Sequence, residues 1–146
     1  MNSPDSQTGA AQIQPGAATA HPPEPATVLL VEDDPALRRY LEVLLRRSGF
    51  TVITAADGLE AIKIAFTANV SAVVTDAVMP RLGGPELCRI IRSNKQLARL
   101  PLVLLSGLAA KEQAPAAVEH ADAHLTKPVR PAELVECLRR LIARAD

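Results

Sequence analysis

Four places in the chain put chemically active side chains directly after short apolar runs. Glu32-Asp33-Asp34 follows Val28-Leu29-Leu30-Val31. Asp76 follows Ala72-Val73-Val74-Thr75, Ser106 follows Pro101 to Leu105, and Lys127 follows Ala123-His124-Leu125-Thr126. Runs of this length bounded by turn residues read as strands buried on both faces of a parallel sheet. In open sheets of that kind the chemistry lies beyond the carboxyl ends of the strands. The first, third and fourth strands are neighbours in such a fold, so four acidic residues, a hydroxyl and an ammonium are expected to converge in one shallow pocket. Two like charges about 4 Å apart repel by about 4 kcal/mol at an effective dielectric of about 20. Clustered carboxylates therefore call for a compensating cation. A hard divalent ion such as Mg²⁺, held by one or two carboxylates, a carbonyl and waters, meets that need, and Lys127 adds a second positive charge. Such a site suits a phosphoryl group, with one carboxylate left to attack phosphorus.

The segments between these strands supply the scaffold. Pro35 suits a first helical position, Leu37, Leu41, Leu44, Leu45 and Ser48 share one face, and Gly49 ends the helix. Thr51 to Ala55 is a second strand. Leu59 to Ala68 is a second helix with Ala61, Ile62, Ala65 and Phe66 inward. A third helix runs from about Pro85 to Ser93 with Leu87, Ile90 and Ile91 inward. A weaker helix is expected over about Lys111 to His120, and Pro131 opens a last one to about Ala143, with Leu134, Val135, Leu138, Leu141 and Ile142 inward. Five strand–helix units in strict alternation imply an α/β fold, a doubly wound five-stranded parallel sheet with right-handed crossovers.

The bulk composition excludes other classes. The 146 residues carry 16 basic and 16 acidic side chains, formal net charge zero, and only three aromatic residues. A nucleic-acid reader needs a positive face and usually stacking groups, so none is expected as a partner. No apolar run reaches the ~20 residues of a membrane span, and the start lacks the pattern of a secretory signal. Cys88 and Cys137 lie far apart in helical patterns and read as reduced packing residues of a cytoplasmic protein. Residues 1–25 hold five prolines and no Lys or Arg. They form a Pro/Ala-rich tail, expected to be disordered, with the folded domain over 26–146.

The stretches Val28 to Pro35, Thr75 to Gly84, Leu104 to Gly107 and Leu125 to Val129 together resemble the receiver domain of two-component response regulators. The resemblance covers Ala26 to Asp146, about four fifths of the chain. It implies the flavodoxin-like strand order 2-1-3-4-5. By position, it implies that Asp76 is the phosphoacceptor, taking phosphate from a histidine kinase or histidine phosphotransfer protein. Asp33 and Asp76 then ligate Mg²⁺ directly, with the backbone carbonyl of Val78, and Glu32 acts through a bound water. Ser106 and Lys127 bind the phosphoryl group, the Lys127–Pro128 peptide is cis, and His124 occupies the place of a rotating aromatic switch. A downstream protein partner is expected on the face formed by the fourth helix, fifth strand and fifth helix. The chain departs from the pattern at His120 and Gly107, and the segment from Ser106 to Lys127 is one residue short.

Other roles compete at individual positions. Asp34 is expected to cap the first helix rather than bind metal. Asp57 and Asp122 read as turn residues. His120 and His124 have no helical spacing that would make them a metal pair. Nothing follows the last helix, so a freestanding receiver is expected; the alternative is a receiver module of a hybrid histidine kinase or phosphorelay. An aspartyl-phosphate phosphatase of the haloacid-dehalogenase type needs a second Asp two residues after the nucleophile, where this chain has Val78. Apolar Val78 and Leu108 beside the site offer no group to orient water, so a long-lived acyl phosphate is expected.

Overall fold

A computed structural model describes residues 24–107 and 120–145. The elements are β1 (Thr27–Val31), α1 (Pro35–Arg47), β2 (Thr51–Ala55), α2 (Gly58–Thr67), β3 (Ala72–Asp76), α3 (Gly84–Ser93), β4 (Leu102–Ser106), β5 (Ala123–Thr126) and α4 (Pro131–Ala145). The helix expected over about Lys111 to His120, like most of the tail, lies outside the described residues; His120 itself is in a turn before β5. All strand pairs are parallel and the sheet order is β2-β1-β3-β4-β5.

Strand periodicity divides the core in two. Successive side chains point to opposite faces. Val28 and Leu30 of β1 therefore join a cluster with Leu41 and Leu45 of α1 and Leu134, Leu138 and Leu141 of α4. Leu29 and Val31 join another with Ala61 and Ala65 of α2 and Leu87, Cys88 and Ile91 of α3. Both faces of β1, β3 and β4 are thus covered, which explains why these strands read as unbroken apolar runs.

Local signals set the helix starts. The Asp34 carboxylate accepts the Ala36 N–H at 3.0 Å and that of Leu37 at 3.5 Å, with Pro35 in the first turn. This is the capping role expected for Asp34. At the other end of α1, Gly49 takes φ +100°, a left-handed conformation that glycine adopts without a Cβ penalty. Gly84 opens α3 for a different reason: a Cβ there would lie 2.3 Å from the Asp76 carbonyl oxygen. Helix α3 must begin in contact with the end of β3, and only glycine leaves room.

Two inward assignments need correction. Phe66 is 48% exposed, because the buried face of α2 is made of the small residues Gly58, Ala61 and Ala65, which bring the helix close to the sheet and turn Phe66 outward. On α3 the fully buried partner of Leu87 and Ile91 is Cys88, and Ile90 is half-buried. The compact thiol fits where the helix approaches the sheet. Both cysteines are free, and burial pushes the Cys88 thiol up to about 12, so it packs as a small apolar group.

Candidate functional site

The strand register brings the acidic residues together. Val31 is opposite Thr75, and Asp76 is opposite Leu105. Glu32 and Asp33, which continue from β1, therefore emerge beside Asp76 at the carboxyl edge of the sheet. Single oxygens of Glu32, Asp33 and Asp76 lie within 4.8 Å of one another. Glu32 and Asp76 are buried, while Asp33 is exposed at the mouth. The Asp34 N–H donates to Glu32 Oε2 at 3.1 Å, and the Arg38 guanidinium donates to the Glu32 backbone carbonyl at 2.8 Å. Arg38 lies off the apolar face of α1 formed by Leu37, Leu41, Leu44 and Leu45. Standing one turn after the cap Asp34, it reaches back to hold the acidic loop.

Lys127 closes the other side. Its backbone N–H donates to the Ser106 carbonyl at 2.9 Å, which extends β5 along β4. Its ammonium reaches Asp76 Oδ1 at 2.6 Å and Glu32 Oε1 at 3.7 Å. The second distance is an ion pair without a hydrogen bond, and Glu32 Oε1 is a buried oxygen with no hydrogen-bond donor. The Lys127–Pro128 peptide is cis. Ser106, buried at the end of β4, pairs its hydroxyl with His124 Nε2.

One ammonium faces three carboxylates, and the ionisation of the cluster reflects it. Burial pushes the Glu32 carboxyl up; its hydrogen bond from Asp34 opposes this, and the nearby Asp76 charge adds to the rise. Burial pulls the Lys127 ammonium down, but its hydrogen bond to Asp76 and the charges of Asp76, Glu32 and Asp33 outweigh that and leave it raised. Lys127 is thus held as a cation among an excess of anions. Three carboxylates around a common point, one oxygen unsatisfied, all donors hard, make a set that fits a small divalent ion such as Mg²⁺. Of the described residues, only these three form a group of His, Cys, Asp or Glu placed to hold a metal.

The loop after Asp76 completes the site. The Ala77 N–H donates to the Leu105 carbonyl at 2.8 Å and the Gly84 N–H to the Ala77 carbonyl at 3.0 Å. Met79 is buried and Val78 is 70% exposed beside the cluster; Leu108, its expected neighbour, lies outside the described residues. The pattern of the response regulator receiver domain matches residues 28–139. The chain belongs to the response regulator receiver family. It is 36% identical over 123 residues to a "Response regulator MprA" of Mycobacterium sp. (strain KMS), covering 84% of this chain and 53% of that protein. The chain spans about half the length of the curated relatives it matches. The solved receiver domain of a sensor histidine kinase from Pseudomonas aeruginosa PAO1, with a magnesium ion coordinated in its active site cleft, superposes with a TM-score of 0.76 at 31% identity, covering 82% of this receiver and 98% of that chain. The response regulator TrrA of Thermotoga maritima, solved in complex with Mg²⁺ and BeF, gives a TM-score of 0.73 at 29% identity, covering 80% and 98%.

The polar contacts of two aspartates in this receiver escaped the sequence reading. Asp57, read as a turn residue, caps α2 through the Glu60 N–H at 2.9 Å and pairs with Arg81 at 2.8 Å. Asp122, also read as a turn residue, pairs with Arg92 at 2.6 Å and accepts the Leu102 N–H at 2.8 Å. The Asp57-Gly58-Leu59-Glu60 string carried a capping signal for the first. For the second, Arg92 and Asp122 are 30 residues apart and no local pattern joins them.

Proposed function

We propose that this receiver accepts a phosphoryl group on Asp76 from the phosphohistidine of a histidine kinase or histidine phosphotransfer protein, in a reaction that requires Mg²⁺. The observation that carries the proposal is the contact of Lys127 Nζ with Asp76 Oδ1 at 2.6 Å inside a trio of carboxylates. An oxygen of Asp76 bonds to phosphorus as the phosphorus–nitrogen bond of the donor breaks. The electron pair leaves on the imidazole nitrogen, and the product is an acyl phosphate. Asp33, Asp76 and the Val78 carbonyl would hold Mg²⁺, with Glu32 acting through water. The ion supplies positive charge to the phosphoryl oxygens. Lys127 places its ammonium against the same oxygens, and the Ser106 hydroxyl donates to one of them.

Phosphorylation then changes the balance of charge at one point, and such a change biases a bistable element. Here that element comprises Ser106, the residues after it and His124, and the Ser106 hydroxyl already pairs with His124. A downstream protein partner would read the change on the face that includes β5 and α4, as a cytoplasmic signalling event. Incubation with acetyl phosphate and Mg²⁺, followed by intact-mass measurement, tests the chemistry. One phosphoryl adduct is expected on the wild type and none on Asp76→Asn or without Mg²⁺. An adduct of equal yield on Asp76→Asn would place the acceptor elsewhere.

The output arrangement has two readings. One is a freestanding receiver. The other is a module of a hybrid histidine kinase or phosphorelay, favoured by the similarity to a receiver that belongs to a sensor histidine kinase. Reading the surrounding coding sequence separates them.

A further inference from the structure

We propose that Arg81 is a positioning residue for the metal site, acting through its ion pair with Asp57 to hold the loop that carries Val78. This rests on the phosphoacceptor reading of Asp76 and its Mg²⁺. Arg81 has φ +71°, rare for a residue with a side chain. The Leu82 N–H donates to the Pro80 carbonyl at 2.8 Å, which makes Arg81 the centre of a γ-turn of the positive-φ form. That turn is uncommon and strained, and persists where its surroundings over-determine it.

The surroundings here are the first two residues of the turn into α2. Arg81 Nη2 reaches Asp57 Oδ2 at 2.8 Å. The next residue, Leu82, lies so close to Gly58 that a Cβ on Gly58 would meet the Leu82 carbonyl oxygen at 2.5 Å. Residues 81 and 82 are therefore seated on residues 57 and 58, 24 positions earlier in the case of the ion pair. On the other side of Val78, Ala77 is tied to β4 and to Gly84 through its N–H and carbonyl. Val78 is thus a short exposed span between two anchors, one of which is Arg81.

The pair does not act through its own strength. The Arg81 side chain is 66% exposed and that of Asp57 13%, and exposed ion pairs contribute little to stability. Its effect is geometric: it selects one conformation of a strained turn next to a metal ligand. Partners that orient ligands in this way change metal affinity by about tenfold or more when removed.

The test is Mg²⁺ titration by calorimetry of the full chain, wild type against Arg81→Gln, Arg81→Lys and Asp57→Asn. Asparagine keeps the oxygen that caps α2 and removes the charge. Arg81→Gln and Asp57→Asn are each expected to weaken Mg²⁺ binding by about tenfold, the double variant no further than either, and Arg81→Lys to recover most of the loss. The acetyl phosphate reaction should need correspondingly more Mg²⁺ for half its maximal rate while reaching the wild-type maximum. Thermal unfolding in EDTA should be little changed in Arg81→Gln and Arg81→Lys, and Asp57→Asn, which also loses the charged cap of α2, should still unfold in one cooperative step, which a general loss of folding would not produce. Wild-type affinity in Arg81→Gln, or losses that add in the double variant, overturn the positioning role and leave the phosphoacceptor reading intact. A wild type that binds no Mg²⁺ overturns both.

Discussion

Asp33 is the exposed member of a trio whose other carboxylates are buried, and this makes it the cleanest probe of the cluster's electrostatics. Without a bound cation the cluster has three acidic groups against the single ammonium of Lys127. Removing one acid relieves repulsion with little loss of packing. Asp33→Asn should therefore stabilise the metal-free protein, on the order of 1 kcal/mol for a charge at the protein surface. It should also weaken Mg²⁺ binding. Chemical denaturation with and without Mg²⁺ checks both: the variant should be the more stable in EDTA, and the added stability from Mg²⁺ should shrink. A variant less stable than wild type in EDTA would mean that Asp33 holds a structural contact stronger than the repulsion it causes. The residue scale also explains Glu32, whose buried, incompletely satisfied oxygen is costly in a protein built only for stability.

At the scale of elements, α2 is tied into the site by its cap. The Glu60 N–H holds the Asp57 carboxyl below the ordinary value, and the Arg81 charge adds to the effect. A carboxyl depressed in the folded state contributes stability that is present above its unfolded value, ~4, and lost as pH falls through its folded value. Asp57→Ala should thus lower the melting temperature at neutral pH. The gap from wild type should narrow as pH falls from ~4 through the folded value, below which both lack the charged cap. Melting curves over a pH series measure this; a gap independent of pH would assign the loss to packing rather than to the charge. The same reasoning separates α1, capped by Asp34 through two N–H groups, from α3, which has no side-chain cap and is set by contact of Gly84 with β3.

For the whole molecule, two aliphatic layers on the faces of one sheet carry the fold. Leu30 is fully buried in the layer beneath α1 and α4. Leu30→Ala should cost about 2–5 kcal/mol, the range for a large core side chain cut to alanine. Urea denaturation should show a lower midpoint with an unchanged slope, since the surface exposed on unfolding is the same. Phosphoryl transfer per folded molecule should persist, because the pocket is built on strand ends and not on that layer. A changed slope would show that the core does not unfold as one unit. Among the described residues no helix is long and apolar enough to cross a membrane.

The strands, their parallel sheet and the residues of the acidic pocket were legible in the order of amino acids. Each of these is announced locally: an apolar run, a turn, then a charged or hydroxyl side chain. Asp34 as a cap was legible for the same reason, since Pro35 and an amphipathic run follow it. Where elements touch across the sheet became visible only in the folded chain. Phe66 faces outward and Cys88 inward because the distance of a helix from the sheet depends on the small residues beneath it. The ties of Arg81 to Asp57 and of Arg92 to Asp122 join segments far apart in the chain. Local periodicity records which face of an element is apolar; it holds no information on which distant loop a long, flexible guanidinium will reach once the sheet has closed the distance.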